Sequence, residues 1–90
     1  MGATVRVLIV DDSSTMRRII SRGLARHGCT DVEVLEASDG AEALAMMAEN
    51  EGGIDLVLCD LNMPVVDGLS LLRSLRASPK WRHTPFVLVT

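Results

Sequence analysis

Val5-Arg6-Val7-Leu8-Ile9-Val10-Asp11-Asp12 decides the fold. Six strand-forming residues, apolar except for Arg6, run straight into two carboxylates. The same pattern recurs in Ile54-Asp55-Leu56-Val57-Leu58-Cys59-Asp60. Short apolar runs of this kind read as strands buried on both faces, the signature of a parallel sheet. Buried strands seldom finish in three carboxylates unless something cationic belongs there. If the two strands are neighbours, Asp11, Asp12 and Asp60 converge within a few ångströms. Anions that close repel strongly, and a hard divalent cation is the simplest remedy.

Working outward from these runs, Ser13-Ser14-Thr15 supplies cap residues for a first helix. Met16, Ile19, Ile20 and Leu24 follow at helical spacing, with Arg17, Arg18, Arg22 and Arg26 on other faces. Gly28 is a plausible stop. Residues 32–37 read as a second strand, and Glu33 and Glu36 within it mark an edge. Asp39-Gly40-Ala41-Glu42 resembles a capping box, after which Ala43, Leu44, Met47 and Ala48 form the inner face of a second helix. Asn50 to Gly53 end it. The third strand runs to about Asp60. The loop 61–68 follows, and Leu69, Leu72 and Leu75 mark the buried stripe of a third helix. Pro79 closes that region. Pro85 introduces a fourth strand, Phe86-Val87-Leu88-Val89-Thr90. The order β-α-β-α-β-α-β implies an α/β fold, a parallel sheet with helices on both faces and right-handed crossovers. Ligands in such sheets gather at the C-terminal strand ends, where Asp11, Asp12, Asp60 and Thr90 all fall.

The bulk composition agrees. At 90 residues the chain is one domain at most, and 48% hydrophobic with 23% charged residues is a globular balance. One Trp, one Phe and no Tyr leave an aliphatic core. A net charge of −3 argues against a nucleic-acid-binding surface. No apolar stretch approaches the ~20 residues of a membrane span, and the N-terminus does not read as a signal peptide. Cys29 and Cys59 lack metal-ligand spacing; Cys59 reads as a reduced core thiol, in keeping with a cytoplasmic location.

Taken together, Asp11-Asp12, Asp60, Met63-Pro64, Asp67-Gly68 and Thr90 resemble a two-component response-regulator receiver domain. The stretches Asp11-Asp12-Ser13-Ser14-Thr15-Met16-Arg17-Arg18-Ile19-Ile20 and Asp60-Leu61-Asn62-Met63-Pro64 are most similar to its chemotaxis (CheY-type) branch. The resemblance spans residues 1–90 and implies a flavodoxin-like, doubly wound parallel sheet with strand order 2-1-3-4. It also implies a fourth helix, a fifth strand ending in a phosphoryl-contacting lysine, and a fifth helix. Nothing here matches these; Lys80, before the fourth strand, is not that lysine. A C-terminally incomplete receiver is therefore expected, its fourth strand an apolar edge inviting self-association.

The chemistry follows from the resemblance. Asp60 is the expected phosphoacceptor, its carboxylate attacking the phosphorus of a phosphohistidine on a histidine kinase or a histidine phosphotransfer domain to give an acyl phosphate. Magnesium is expected on Asp12, Asp60 and the backbone carbonyl of Asn62, with Asp11 reaching it through water. Thr90 is expected to donate its hydroxyl to a phosphoryl oxygen. Asn62 is expected to tune the lifetime of the acyl phosphate. Such a domain catalyses its own phosphotransfer and dephosphorylation but is not a conventional enzyme. Without the strand-five lysine the chain is expected to bind magnesium but to phosphorylate poorly.

Blander readings stand beside these. The three carboxylates could be ordinary loop acids, and Thr90 a plain strand end. Asp67-Gly68 reads as a turn and helix start, and His27 and His83 as surface histidines. The arginines of the first helix are either a solvated face or a docking face. Two other functions compete. One is a magnesium-dependent phosphatase with an aspartyl nucleophile, which needs an acid two residues on where this chain has Asn62. The other is a non-catalytic interaction or dimerisation module with a residual acidic pocket.

Overall fold

In the computed structural model, residues 5–26, 31–50, 53–60 and 68–89 are described. They alternate strictly between strand and helix: β1 (Val5–Val10), α1 (Ser14–Arg26), β2 (Val32–Ala37), α2 (Gly40–Glu49), β3 (Leu56–Asp60), α3 (Gly68–Ala77) and β4 (Phe86–Val89). All strand pairs are parallel, in the order β2-β1-β3-β4. The expected fold is thus observed, with β2 at an edge. Thr90, expected as the last residue of β4, lies outside the described residues.

Pairing register sets which side chains share a face. Leu8 lies beside Leu35 and Val57, and Val10 beside Ala37 and Cys59. These residues join Ala43 and Met47 of α2 and Leu71 and Leu75 of α3 in one buried core. Leu8, Val10, Val57, Cys59, Leu71 and Leu75 are all fully inaccessible. Burying an aliphatic side chain of this size contributes roughly 1.5–3 kcal/mol, so this layer carries much of the stability. The alternate residues Val7 and Ile9, also buried, point to the opposite face, where α1 packs on β1 and β2. Among the described residues that face is thinly covered toward β4, and Val87 is 47% exposed.

Both expected helix starts are built, in detail different from the sequence reading. Ser13 Oγ accepts from the Met16 amide at 3.2 Å. Asp39 is the N-cap of α2, its Oδ1 accepting from the Glu42 amide at 2.7 Å. Glu42 does not complete a capping box; its Oε2 instead accepts from the Ser38 hydroxyl at 2.8 Å. In α3 the buried residues are Gly68, Leu71 and Leu75, while Leu69 is 47% exposed. Positions three apart drift by 60° per step around a helix, so Leu69 and Leu75 never shared a face. In α1, Met16 and Ile19 are 41% and 56% exposed, although the periodicity placed them inward. In α2, Ala43 and Met47 are buried as expected, Leu44 is partly so, and Ala48 is exposed.

The loop from α3 to β4 is tied down by one side chain. Arg76 Nη1 donates to the carbonyls of Arg82 at 2.9 Å and Thr84 at 2.8 Å. A cation in the last turn of a helix also suits the negative end of its dipole. Pro85 then hands the chain into β4, its carbonyl accepting from the Val57 amide at 3.0 Å.

Candidate metal and phosphoryl site

Because β1 and β3 are parallel neighbours, their last residues emerge on one rim of the sheet. Val10 pairs with Cys59, so Asp11 and Asp60 each stand one residue past a matched pair. The structure brings the three predicted carboxylates together. One oxygen from each of Asp11, Asp12 and Asp60 lies within 4.8 Å of the others. Asp11 is only 8% exposed, Asp12 is exposed and Asp60 is half-buried. A mouth open on one side and lined by hard oxygen donors fits a small, hard divalent cation.

Asp11 is held on three sides. Its amide donates to the Ala37 carbonyl at 3.1 Å. Its Oδ1 accepts from the Ser13 amide at 2.8 Å. Its own carbonyl accepts from Arg17 Nη1 at 2.6 Å. The electrostatics show the strain of the arrangement. Burial first of all raises the Asp11 carboxyl above its ordinary value, and the charges of Asp60 and Asp12 push the same way, against the lowering effect of the Ser13 amide.

The reading of the sequence missed Arg17. Its guanidinium is neither on a solvated face nor free for docking. Nε donates to Glu36 Oε1 at 2.9 Å while Nη1 holds the Asp11 carbonyl. Only 17% of the side chain is exposed. No sequence signal separates Arg17 from Arg18, because both sit on the same polar run; the distinction comes from where α1 lands on the sheet. Asn62, Met63-Pro64, Asp67, Thr90, His27 and Cys29 lie outside the described residues, so the structure does not bear on them. His83 is exposed and remote from the rim, and Cys59 is buried, its thiol donating to the Asp60 carbonyl at 3.2 Å.

A cavity of about 260 Å³ lies at the other end of the sheet, against Met47, Ile54, Asp55, Trp81 and Pro85. It contains none of the three clustered carboxylates, and its position before β3 and β4 separates it from them by the length of the strands. The clustered oxygen donors lie at the carboxylate rim and not at this cavity.

Comparison with known proteins agrees with the rim geometry. Residues 7–90 match the response regulator receiver domain family. The chain is 44% identical over 86 residues to a chemotaxis protein CheY homologue of Campylobacter jejuni, covering 96% of this chain and 64% of that protein. It is 44% identical to the chemotaxis protein CheY of Pseudomonas aeruginosa, covering 96% of this chain and 66% of that protein. It thus spans about two thirds of the length of these relatives. Among solved structures, chemotaxis protein CheY4 of Vibrio cholerae superposes with a TM-score of 0.82 at 35% identity, covering 96% of this chain and 68% of that one. The signal receiver domain of a histidine kinase from Syntrophus aciditrophicus gives 0.85 at 30%, covering 96% and 61%. With its motifs, its strand order and its acidic rim all in agreement, the chain belongs to the response regulator receiver domain family, with chemotaxis CheY proteins among its relatives.

Proposed function

We propose that residues 1–90 act as one receiver unit that accepts a phosphoryl group onto Asp60 with a magnesium ion held at the rim. The observation that carries this reading is the convergence of three carboxylate oxygens within 4.8 Å of one another at the tips of β1 and β3. Asp12 and Asp60 are the direct protein ligands in this reading, with Asp11 acting through water and the Asn62 carbonyl completing the set. Magnesium, when bound, supplies charge neutralisation for the transferring phosphoryl group. An Asp60 oxygen forms the new O–P bond while the N–P bond to the donor imidazole breaks, and the imidazole leaves with its electron pair. An ionised carboxylate needs no general base for this attack. The Thr90 hydroxyl donates to a phosphoryl oxygen. The domain promotes its own modification and its own hydrolysis, without turning over a separate substrate.

The donor is the phosphohistidine of a histidine kinase or of a histidine phosphotransfer domain, as suits a chemotaxis-type phosphorelay in the cytoplasm. Among the described residues no helix is long and apolar enough to cross a membrane. The net charge of −3 disfavours nucleic acid as a partner. Self-association through β4 is the further partner reading, supported by the 47% exposure of Val87 on an apolar edge strand. The test is incubation with a small acyl-phosphate donor and magnesium, followed by intact-mass measurement. Slow, partial labelling in the wild type and its loss in Asp60→Asn are expected. Equal labelling of both proteins rules Asp60 out as the acceptor. An unlabelled wild type favours the reading as a non-catalytic interaction module.

A further inference from the structure

We propose that Arg17 is a positioning residue for the acidic rim, acting through the Asp11 peptide; this rests on the reading of the rim as a cation site. The six atoms of a peptide unit lie in one plane. Fixing the Asp11 carbonyl oxygen therefore fixes the direction in which the chain departs toward Asp12. That oxygen is held by Arg17 Nη1 at 2.6 Å, a short charge-assisted bond. The guanidinium is in turn kept from rotating by its second bond, Nε to Glu36 Oε1 at 2.9 Å. Glu36 belongs to edge strand β2, whose register with β1 pairs it with Ile9. The result is a continuous brace from β2 through Arg17 to the loop carrying two of the three carboxylates. The Ser13 amide on Asp11 Oδ1 braces the side chain of the same residue. A planar fork can span two acceptors in fixed directions, which an ammonium group cannot.

The brace and the charge make opposite predictions. As a cation beside a cation site, Arg17 weakens metal binding, and removing it tightens binding. As a positioning residue it pre-forms the rim, and removing it loosens binding. Outer-shell partners of this kind typically change metal affinity by about 10- to 100-fold when mutated. Calorimetric titration of magnesium chloride into the wild type, Arg17→Gln, Arg17→Lys and Glu36→Gln separates the two. Arg17→Gln is expected to bind roughly tenfold more weakly, with Arg17→Lys only partly restored despite its charge. Glu36→Gln, at a half-exposed carboxylate, is expected to shift in the same direction by less, and Arg17→Lys, which keeps the charge and loses the planar fork, carries the test should Arg17→Gln fold poorly. Amide exchange of the metal-free proteins supplies a second readout. The Asp12 and Ser13 amides are expected to exchange faster in Arg17→Gln, with the Val57 and Leu58 amides of β3 unchanged. Equal or tighter magnesium binding by Arg17→Gln, or wild-type binding by Arg17→Lys, overturns the proposal. A wild type that takes up no magnesium overturns the cation-site reading itself, and this inference with it.

Discussion

The two ends of the sheet treat their acids in opposite ways. At the N-terminal end, Asp55 Oδ2 accepts from the Arg6 amide at 2.8 Å, and its own amide donates back to the Arg6 carbonyl at 2.9 Å. The Arg6 side chain faces Glu33 at 3.5 Å and donates to Asn50 Oδ1 at 3.3 Å. Acid and donor are matched there, and the acids support the fold. At the C-terminal end, three carboxylates crowd within 4.8 Å, and Arg17 on that rim bonds the Asp11 backbone carbonyl and Glu36. A fold with no use for that rim could relieve it with one lysine. The crowding, with the Asp11 carboxyl pushed up by burial and by its neighbours, is what the proposed cation would relieve.

Substitutions of carboxylates at the two ends should therefore change stability with opposite signs. The largest effect is expected at the N-terminal end. Asp55→Ala removes the acceptor of the Arg6 amide and should lower the unfolding free energy by about 0.5–1.5 kcal/mol in urea titrations. At the C-terminal end, Asp11→Asn should raise the stability of the metal-free protein, read as a higher urea midpoint than the wild type. Asparagine keeps an acceptor for the Ser13 amide while losing the charge.

The pH dependence sharpens this contrast. The folded state holds the Asp11 proton more tightly than the unfolded chain does. Its contribution is thus fully present below the ordinary carboxylate value and is lost as the pH rises through the raised folded value. Asp11→Asn should flatten that decline in melting curves recorded across the window above the ordinary carboxylate value. An Asp11→Asn protein less stable than the wild type without metal would break the contrast. The smallest effect is expected from Glu33→Gln, at most about 0.5 kcal/mol, because both partners of the Arg6–Glu33 pair are more than a third exposed.

Much of this was legible in the chain itself, for physical reasons. The runs 5–10 and 54–60 are apolar on both faces, which only a sheet covered on both sides tolerates, and strand ends in a parallel sheet share one rim. Those two facts put Asp11, Asp12 and Asp60 on one rim, and close together if the two strands are neighbours, as the strand order implied by the resemblance has them. What periodicity could not supply was phase. It marks which residues of a helix share a face, but not how the helix is rotated on the sheet. Leu69 was therefore placed inside where Leu71 is, and Met16 and Ile19 were turned inward where they face out. For the same reason Arg17 could not be told from Arg18, although one braces the acidic loop and the other is exposed. Glu42 illustrates a local version: the capping-box spacing was right, but the Ser38 hydroxyl competed for its carboxylate.

The most direct measurement is the site of a paramagnetic ion. Manganese(II) added in substoichiometric amounts to isotope-labelled protein broadens the amide signals nearest to it. Broadening confined to the amides of Val10, Asp11, Asp12, Ser13, Cys59 and Asp60, and reversed by excess magnesium, is the expected result. Broadening centred on Asp55 and His83 at the opposite end of the strands, or none anywhere, contradicts a cation shared by the tips of β1 and β3.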